Sequence, residues 1–253
     1  MSRNKNVVLI TGSSRGIGRE IAMELARQEC RVIVHGSRES EKLRDAYEQV
    51  QAISVESICV VANLSDAEAI RSAFKTIQNH FGRLDVLVNN AATQNPTPFL
   101  DIKEEDWDFV QSVNLKAPFL CSQLAGRMMR EQGGGKIVNI SSVHAKDPKR
   151  NYAHYSSSKG GLETLTKAMA MELAAFNIQV NSLMVGAIAT DMTPADRCEN
   201  LFSAIPAGRI GTAEEIARLV SFIVSDKCDY LTGASITIDG GLTLGFCASR
   251  PDL

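Results

Sequence analysis

The sequence predicts an α/β fold in which one doubly wound parallel sheet of seven strands carries helices on both faces. Seven short runs rich in Val and Ile alternate with longer amphipathic stretches, and Gly, Asn, Ser or Asp bounds the runs. Such runs are typical of strands buried on both faces of a parallel sheet. Their alternation with helical stretches implies right-handed βαβ units. The predicted strands are residues 7–10, 31–34, 58–61, 85–88, 136–140, 178–183 and 235–238.

The stretches between the strands have the periodicity of helices with a buried face. After the first strand, Ile17, Ile21 and Leu25 recur at every fourth position. A longer helix is predicted to open at Tyr155 and to run to about Phe176, with apolar residues at intervals of three or four. Those residues are Leu162, Leu165, Met169, Leu173 and Phe176.

The composition is that of a globular protein, and we expect residues 1–253 to form a single domain. Hydrophobic residues make up 44% of the chain and charged residues 22%, so a large core can be buried. The net charge of −2 predicts no nucleic-acid partner. No apolar run is long enough for a membrane span, so no membrane partner is expected.

The six cysteines form no C-x-x-C pair and accompany no histidine cluster, so we expect free thiols and no metal site. The first strand begins too near the N-terminus for a signal peptide, and a cytoplasmic protein is expected. One long irregular stretch, residues 190–211, contains Pro194 and Pro206. It is predicted to be a substrate loop within the domain.

The first strand is followed by the glycine-rich turn Thr11-Gly12-Ser13-Ser14-Arg15-Gly16-Ile17-Gly18 and then by a helix. Glycines let the backbone approach a pyrophosphate, and a helix N-terminus adds N–H groups and partial positive charge. Three glycines alone would indicate only a tight turn. The order of strand, turn and helix favours a Rossmann-type dinucleotide site. Its predicted residues are Gly12, Ser14, Arg15, Gly16, Ile17 and Gly18.

The end of the second strand bears on the choice of cofactor. NAD sites commonly place an acid there against the ribose 2′-hydroxyl. Here Val34 is followed by His35-Gly36-Ser37-Arg38, which contains no acid. Arg15 and Arg38 could flank a 2′-phosphate, since arginine binds phosphate in a bidentate manner. The alternative is that both are solvated surface arginines. We therefore expect NADP(H) rather than NAD(H).

Tyr155 and Lys159 lie four residues apart and share a helix face. A free tyrosine has a pKa of about 10, and a nearby ammonium favours the phenolate. The pair could also be an ordinary exposed Tyr and Lys. Asn90 and Ser142 follow predicted strands, so they are expected at the sheet edge where ligands bind. We therefore predict a site with Tyr155 as acid/base.

Taken together, these motifs resemble the short-chain dehydrogenase/reductase family over nearly the whole chain. The matching residues are Thr11-Gly12, Gly16-Ile17-Gly18, Asn89-Asn90-Ala91, Asn114, Ser142, Tyr155, Lys159, Gly208-Arg209-Ile210-Gly211, Leu231-Thr232-Gly233 and Asp239-Gly240-Gly241. The resemblance implies hydride transfer between a nicotinamide cofactor and a carbonyl or secondary alcohol.

The resemblance also implies a role for each catalytic residue. Tyr155 would exchange a proton with the substrate oxygen, and Lys159 would lower the pKa of Tyr155 and bind the nicotinamide ribose. Ser142 would hold the substrate oxygen, whereas Ser141 would be structural. Asn114 would order a water that connects Lys159 to solvent. Tyr155 and Lys159 are themselves implied to contact the cofactor, and the further residues implied to do so are Asn63, Leu64, Asn90, Ala91, Gly186, Ile188 and Thr190.

Three positions depart from the family pattern. Ala92 replaces the glycine usual after Asn-Asn-Ala, and Asn63 replaces an aspartate expected near the adenine. Val185 replaces the proline of a Pro-Gly pair, which leaves that loop less fixed. None of the three changes a catalytic residue, so activity is expected.

Ser142, His144, Tyr155, Gln94 and Met192 are the residues expected to contact substrate. Parts of the sequence resemble glucose 1-dehydrogenases and others 3-oxoacyl-carrier-protein reductases, so a sugar-like polyol and a 3-oxoacyl thioester remain open. The alternatives are a tailoring reductase for a small cyclic ketone and a non-catalytic nucleotide sensor. A basic run, Lys146 to Arg150, could serve a carrier protein or be a solvated face. A homo-oligomer, most simply a tetramer, is expected from the family.

Overall fold

The computed structural model describes residues 5–190 and 205–244. Seven parallel strands form one sheet, as the sequence predicts. The strands are β1 Val7–Ile10, β2 Arg31–Gly36, β3 Ile58–Val61, β4 Val86–Asn89, β5 Gly135–Ser142, β6 Ile178–Val185 and β7 Ser235–Ile238. Their order across the sheet is β3-β2-β1-β4-β5-β6-β7. The order reverses between β1 and β4, and such a switch point opens a crevice beyond the carboxyl ends of the strands.

The helices of the described residues cover both faces of the sheet. They are α1 Gly16–Arg27, α2 Glu41–Ile53, α3 Ala67–Phe81, α4 Glu104–Gln111, α5 Ala117–Gln132, α6 Ala153–Leu173 and α7 Ala213–Val224. Side chains fix several helix starts, since Ser40 accepts from the Leu43 N–H of α2 and Asp66 from the Glu68 N–H of α3. α7 begins with a capping box formed by Thr212 and Glu215.

The core lies in two layers because successive strand residues point to opposite faces. In β1, Val8 and Ile10 pack on one side against α1 and α7, while Val7 and Leu9 pack on the other. Both layers continue through the neighbouring strands. The strands β1, β2 and β4 are therefore apolar on both faces, which explains their continuous Val, Ile and Leu runs.

The bounds of four strands differ from those predicted. β2, β5 and β6 continue two residues further, so Ser142 is the last residue of β5 rather than a residue beyond it. β4 is shifted by one residue and runs from Val86 to Asn89, although the Asp85 backbone still donates to the Val7 carbonyl and accepts from the Lys136 N–H. The two residues added at the end of β5, Ser141 and Ser142, are polar and so fall outside an apolar run, but both are buried and pair with Met184 and Val185 of β6.

The predicted start of α6 was also wrong. The helix begins at Ala153, two residues before Tyr155, and ends at Leu173. A short 3₁₀ turn, Ala174–Phe176, follows it. Within the described ranges, no helix combines the length and apolar character needed to cross a bilayer.

Candidate active site

A cleft of about 1440 Å³ lies beyond the carboxyl ends of the central strands. It brings together the predicted site residues Gly12, Ser14, Arg15, Gly16, Ile17, Gly18, Arg38, Asn63, Leu64, Asn90, Ala91, Gln94, Ser142, His144, Tyr155, Lys159, Gly186, Ile188 and Thr190. Asn114 is buried beneath the cleft. Met192 and the first part of the 190–211 loop lie outside the described residues.

The glycine-rich turn is held against the end of β4. Gly12 has a φ of +65°, and a Cβ there would lie 2.9 Å from the Ala91 Cα. Asn90 donates from its amide to the Thr11 and Gly12 carbonyls, and its own N–H donates to the Thr11 hydroxyl. Asn90 therefore shapes the turn as well as lining the cleft.

The N-terminus of α1 faces this turn. Arg15 occupies the N-cap position of α1, but its side chain makes no capping hydrogen bond to the helix. The first turn of α1 contains no acidic residue. The amides of Gly16, Ile17 and Gly18 are orphan helix donors of the kind that bind anions. The residues present thus fit a dinucleotide pyrophosphate.

His35, on β2, is a residue whose role the sequence did not reveal. Its Nδ1 accepts from the Gly12 N–H at 2.9 Å, and its Nε2 lies 3.0 Å from the Ala62 carbonyl oxygen. Because Nδ1 accepts, Nε2 carries the proton and donates to Ala62. Burial lowers the pKa of His35 to about 4, which keeps the ring neutral. The available signal was a histidine directly after the apolar run of residues 31–34.

His35→Leu is expected to lower the free energy of unfolding by about 1–3 kcal/mol, since the buried Gly12 N–H loses its acceptor. His80→Leu is the matched control, because His80 is an exposed residue on α3, and this substitution should change stability little. Urea denaturation measures both. The folded pKa is depressed, so the wild type should lose stability as the pH falls from about 6.5 towards about 4. A His35→Leu protein that keeps this pH dependence would contradict the assignment.

Ser142, Tyr155 and Lys159 meet at the floor of the cleft. Ser142 ends β5 and its hydroxyl accepts from the His144 N–H at 3.1 Å. Lys159 is 2% exposed and its Nζ donates to the Ile140 carbonyl at 2.8 Å. The same Nζ lies 5.8 Å from the centroid of the Tyr155 ring. The predicted i, i+4 juxtaposition is therefore present.

The largest influence on the pKa of Tyr155 in this structure is burial rather than Lys159. Burial raises the pKa of Tyr155, a hydrogen bond with Ser142 opposes the rise, and Tyr152 adds to it. The Lys159 ammonium is directed at Ile140, and burial lowers the pKa of Lys159 itself to about 8. At neutral pH, Tyr155 is accordingly a protonated phenol suited to donating a proton.

Asn114 lies on a π-helical turn, Ser112–Lys116, between α4 and α5. It is fully buried, its amide oxygen accepts from the Thr93 N–H, and its amide nitrogen donates to the Thr93 carbonyl. The nitrogen also donates to the Ser158 hydroxyl, one residue before Lys159. Asn114 therefore ties the wall of the cleft to α6.

The rings of His144 and Tyr152 lie beside the ring of Tyr155. The rings of His144, Tyr152 and Tyr155 have centroids 6.1 to 6.5 Å apart. His144 Nδ1 lies 3.0 Å from the Asp147 carbonyl oxygen, and Lys149 Nζ lies 5.2 Å from the Tyr152 centroid. Tyr152 was not predicted, and its position three residues before Tyr155 was the only signal.

The remaining predicted residues lie around the rim. Arg15 and Arg38 are exposed, and Arg38 follows the buried end of β2. The Asn63 side chain accepts from the N–H and hydroxyl of Ser65, so its acceptor is already used. Ile188 pairs with Gly211, which ties the segment after β6 to the start of α7. Among residues 5–190 and 205–244, no group of three or more His, Cys, Asp or Glu is placed to hold a metal.

Comparison with known proteins agrees with this arrangement. Residues 12–243 match the family profile described as enoyl-(acyl carrier protein) reductase. The 3-oxoacyl-[acyl-carrier-protein] reductase FabG of Staphylococcus aureus strain Mu50 is 40% identical over 237 residues, which are 92% of this chain and 96% of the relative.

Solved structures of the same kind share the fold. The acetoin dehydrogenase of Enterobacter cloacae has a TM-score of 0.90 at 38% identity and covers 99% of this chain and 100% of its own. The acetoin dehydrogenase YohF of Salmonella typhimurium has a TM-score of 0.87 at 34% identity, with coverages of 95% and 98%. The chain belongs to the short-chain dehydrogenase/reductase family and is an oxidoreductase.

Proposed function

We propose that this protein reduces the ketone of a small oxygenated substrate with NADPH, using Tyr155 as the general acid. The observation that carries the proposal is the meeting of Ser142, Tyr155 and Lys159 beside a glycine-rich turn in one cleft. The four residues of the family's catalytic pattern, Asn114, Ser142, Tyr155 and Lys159, are all present. Their presence argues against a nucleotide sensor that catalyses no reaction.

The bound dihydronicotinamide would supply the hydride that reduces the carbonyl carbon. Ser142 holds the carbonyl oxygen next to the Tyr155 hydroxyl, and Tyr155 donates its proton to that oxygen. The Lys159 ammonium stabilises the phenolate that remains. Because burial raises the pKa of Tyr155, its hydroxyl keeps its proton at neutral pH and can donate it to the carbonyl oxygen.

NADP(H) is preferred in this proposal because of the rim of the cleft. Gly36, Ser37 and Arg38 line it where a NAD site would place an acid. The Arg38 guanidinium, at the end of β2, suits a 2′-phosphate. Asn63 would contact the adenine through its amide N–H groups, since Ser65 occupies its oxygen.

A 3-oxoacyl thioester is the first substrate to consider, because the FabG relative named above carries that activity in its name. A vicinal hydroxyketone or diketone is the second, because two acetoin dehydrogenase structures match over nearly the whole chain. Both substrates place a second oxygen near the ketone. His144, Gln94 and Tyr152 line the cleft and can hydrogen-bond that oxygen.

Turnover of the thioester and of the hydroxyketone can be compared directly. We expect the protein to consume NADPH with acetoacetyl-N-acetylcysteamine or with diacetyl. The reaction is measured as the loss of the dihydronicotinamide absorbance. Oxidation of glucose with NADP⁺ tests the hypothesis of a sugar-like polyol substrate. Reduction of a cyclic ketone tests the hypothesis of a tailoring reductase. A protein that turns over none of these with either cofactor would contradict the proposal.

Arg38→Ala tests the cofactor assignment. Loss of a charge-assisted phosphate contact is expected to raise the KM for NADPH about tenfold and to leave the KM for NADH unchanged. Arg44→Ala, an exposed arginine on α2, is the control and should alter neither. Equal effects of Arg38→Ala on both cofactors would exclude a 2′-phosphate contact.

A further inference from the structure

A carboxylate is buried one helical turn beyond Lys159. Glu163 is 7% exposed and lies four residues after Lys159 on α6, so the two side chains share a helix face. Both point into the protein, since Lys159 is also buried. Burial of an isolated carboxylate costs several kcal/mol, so a compensating arrangement is required.

The neighbouring strands compensate Glu163 with hydroxyl groups. Ser182 on β6 donates to both carboxylate oxygens, at 2.7 and 2.9 Å, and Ser235 on β7 donates to Oε2. No ion pair among the described residues includes Glu163. The hydroxyls fix the carboxylate in position, and Lys159 is the cation whose pKa its charge raises.

We propose that Glu163 is the buried counter-ion of Lys159 and positions a charged ammonium beneath Tyr155 during proton transfer. Glu163 does not contact the substrate cleft, so it is a positioning residue acting through Lys159. This inference rests on the proposed function for its catalytic consequence but not for the coupling of the two charges.

The groups facing the pair are few. Tyr155 faces Lys159 on α6, the Ile140 carbonyl faces it from β5, and Ser182 and Ser235 face Glu163 from β6 and β7. None of these groups titrates near neutral pH, since burial raises the pKa of Tyr155 above its usual value. Burial lowers the pKa of Lys159 to about 8, and Glu163 opposes that fall. Without the carboxylate, the ammonium would lose its proton at a lower pH.

Glu163→Gln separates charge from shape. The amide is isosteric, Ser182 can still donate to its oxygen, and the Ser235 hydroxyl can accept from its nitrogen. The pKa of Lys159 can be followed by NMR of the protein labelled at the lysine Cε, with the resonance assigned by its absence in Lys159→Met. This measurement requires no substrate and no turnover.

The Lys159 titration midpoint is expected near 8 in the wild type and about one pH unit lower in Glu163→Gln. The alkaline limb of kcat for ketone reduction should move by the same amount, with little change in the KM for the ketone. Glu172→Gln, an exposed carboxylate on the same helix, should leave both unchanged. A purely structural role would lower the amount of active protein without moving either midpoint.

An unchanged Lys159 midpoint in folded Glu163→Gln would overturn the inference. If that variant does not fold, Glu163→Met provides a second measurement, since an apolar side chain of similar length also removes the charge beside Lys159 and must lower the Lys159 midpoint. An unmoved Lys159 midpoint in that variant would then overturn it. A shifted Lys159 midpoint in a protein inactive on every ketone would support the charge coupling and contradict the proposed function instead.

Discussion

Tyr155→Phe is expected to lower kcat for ketone reduction by about 10²- to 10⁴-fold, the usual contribution of a positioned proton donor. The phenyl ring keeps the packing between His144 and Tyr152 but has no proton for the carbonyl oxygen. The KM for the cofactor should change little, because Tyr155 lies outside the glycine-rich turn. Steady-state kinetics with NADPH and the best ketone measure the effect.

The control for this substitution is Tyr230→Phe, which removes the same hydroxyl from a fully exposed ring. That variant should keep the wild-type kcat. If Tyr155→Phe also retained most of its turnover, Tyr155 could not be the general acid. The pKa of about 8 for Lys159 adds a pH dependence in the wild type. Reduction should slow as the pH rises through that value, because the ammonium that stabilises the phenolate is lost.

Gly18→Ala is expected to weaken cofactor binding by about tenfold or more. A Cβ at Gly18 would lie 2.4 Å from the Asn90 Nδ2 and 2.5 Å from the Gly12 carbonyl oxygen. These two atoms form the hydrogen bond that joins Asn90, directly after β4, to the glycine-rich turn. Relief of the clash must therefore displace the turn. Such overpacking costs about 1–3 kcal/mol, and about 1.4 kcal/mol corresponds to tenfold in affinity.

Gly126→Ala provides a control of the same chemistry. Gly126 lies in α5, and a Cβ there would meet the Leu173 side chain at 3.8 Å, which is an ordinary contact. Alanine is favoured over glycine inside a helix, so this variant should be as stable as the wild type or slightly more stable. Fluorescence titration with NADPH and urea denaturation distinguish the two variants. Unchanged NADPH affinity in Gly18→Ala would show that the turn does not bind the cofactor.

Much of the site could be predicted from the sequence because its signals are local. The glycine spacing follows a strand directly, and the Tyr155–Lys159 interval is one helical turn. The roles of the individual site residues, including Met192, the preference for NADP(H) and the oligomeric state stay predictions. Asn90 illustrates the limit of a motif, since its position was predicted but its amide turns out to hold the Thr11 and Gly12 carbonyls.

The sequence by itself determined the order of strands and helices along the chain. It also determined that the site residues collect at one edge of the sheet. Both follow from periodicity and strand direction, which are properties of neighbouring residues. Only the tertiary structure decided the electrostatics. His35 is neutral because β1 and β3 enclose it, and Tyr155 stays protonated because burial outweighs the nearby groups. Glu163 is compensated by hydroxyls from β6 and β7 that are distant in the chain. Burial and such long-range contacts set the free energy of charging each group, and neither is a property of a local pattern.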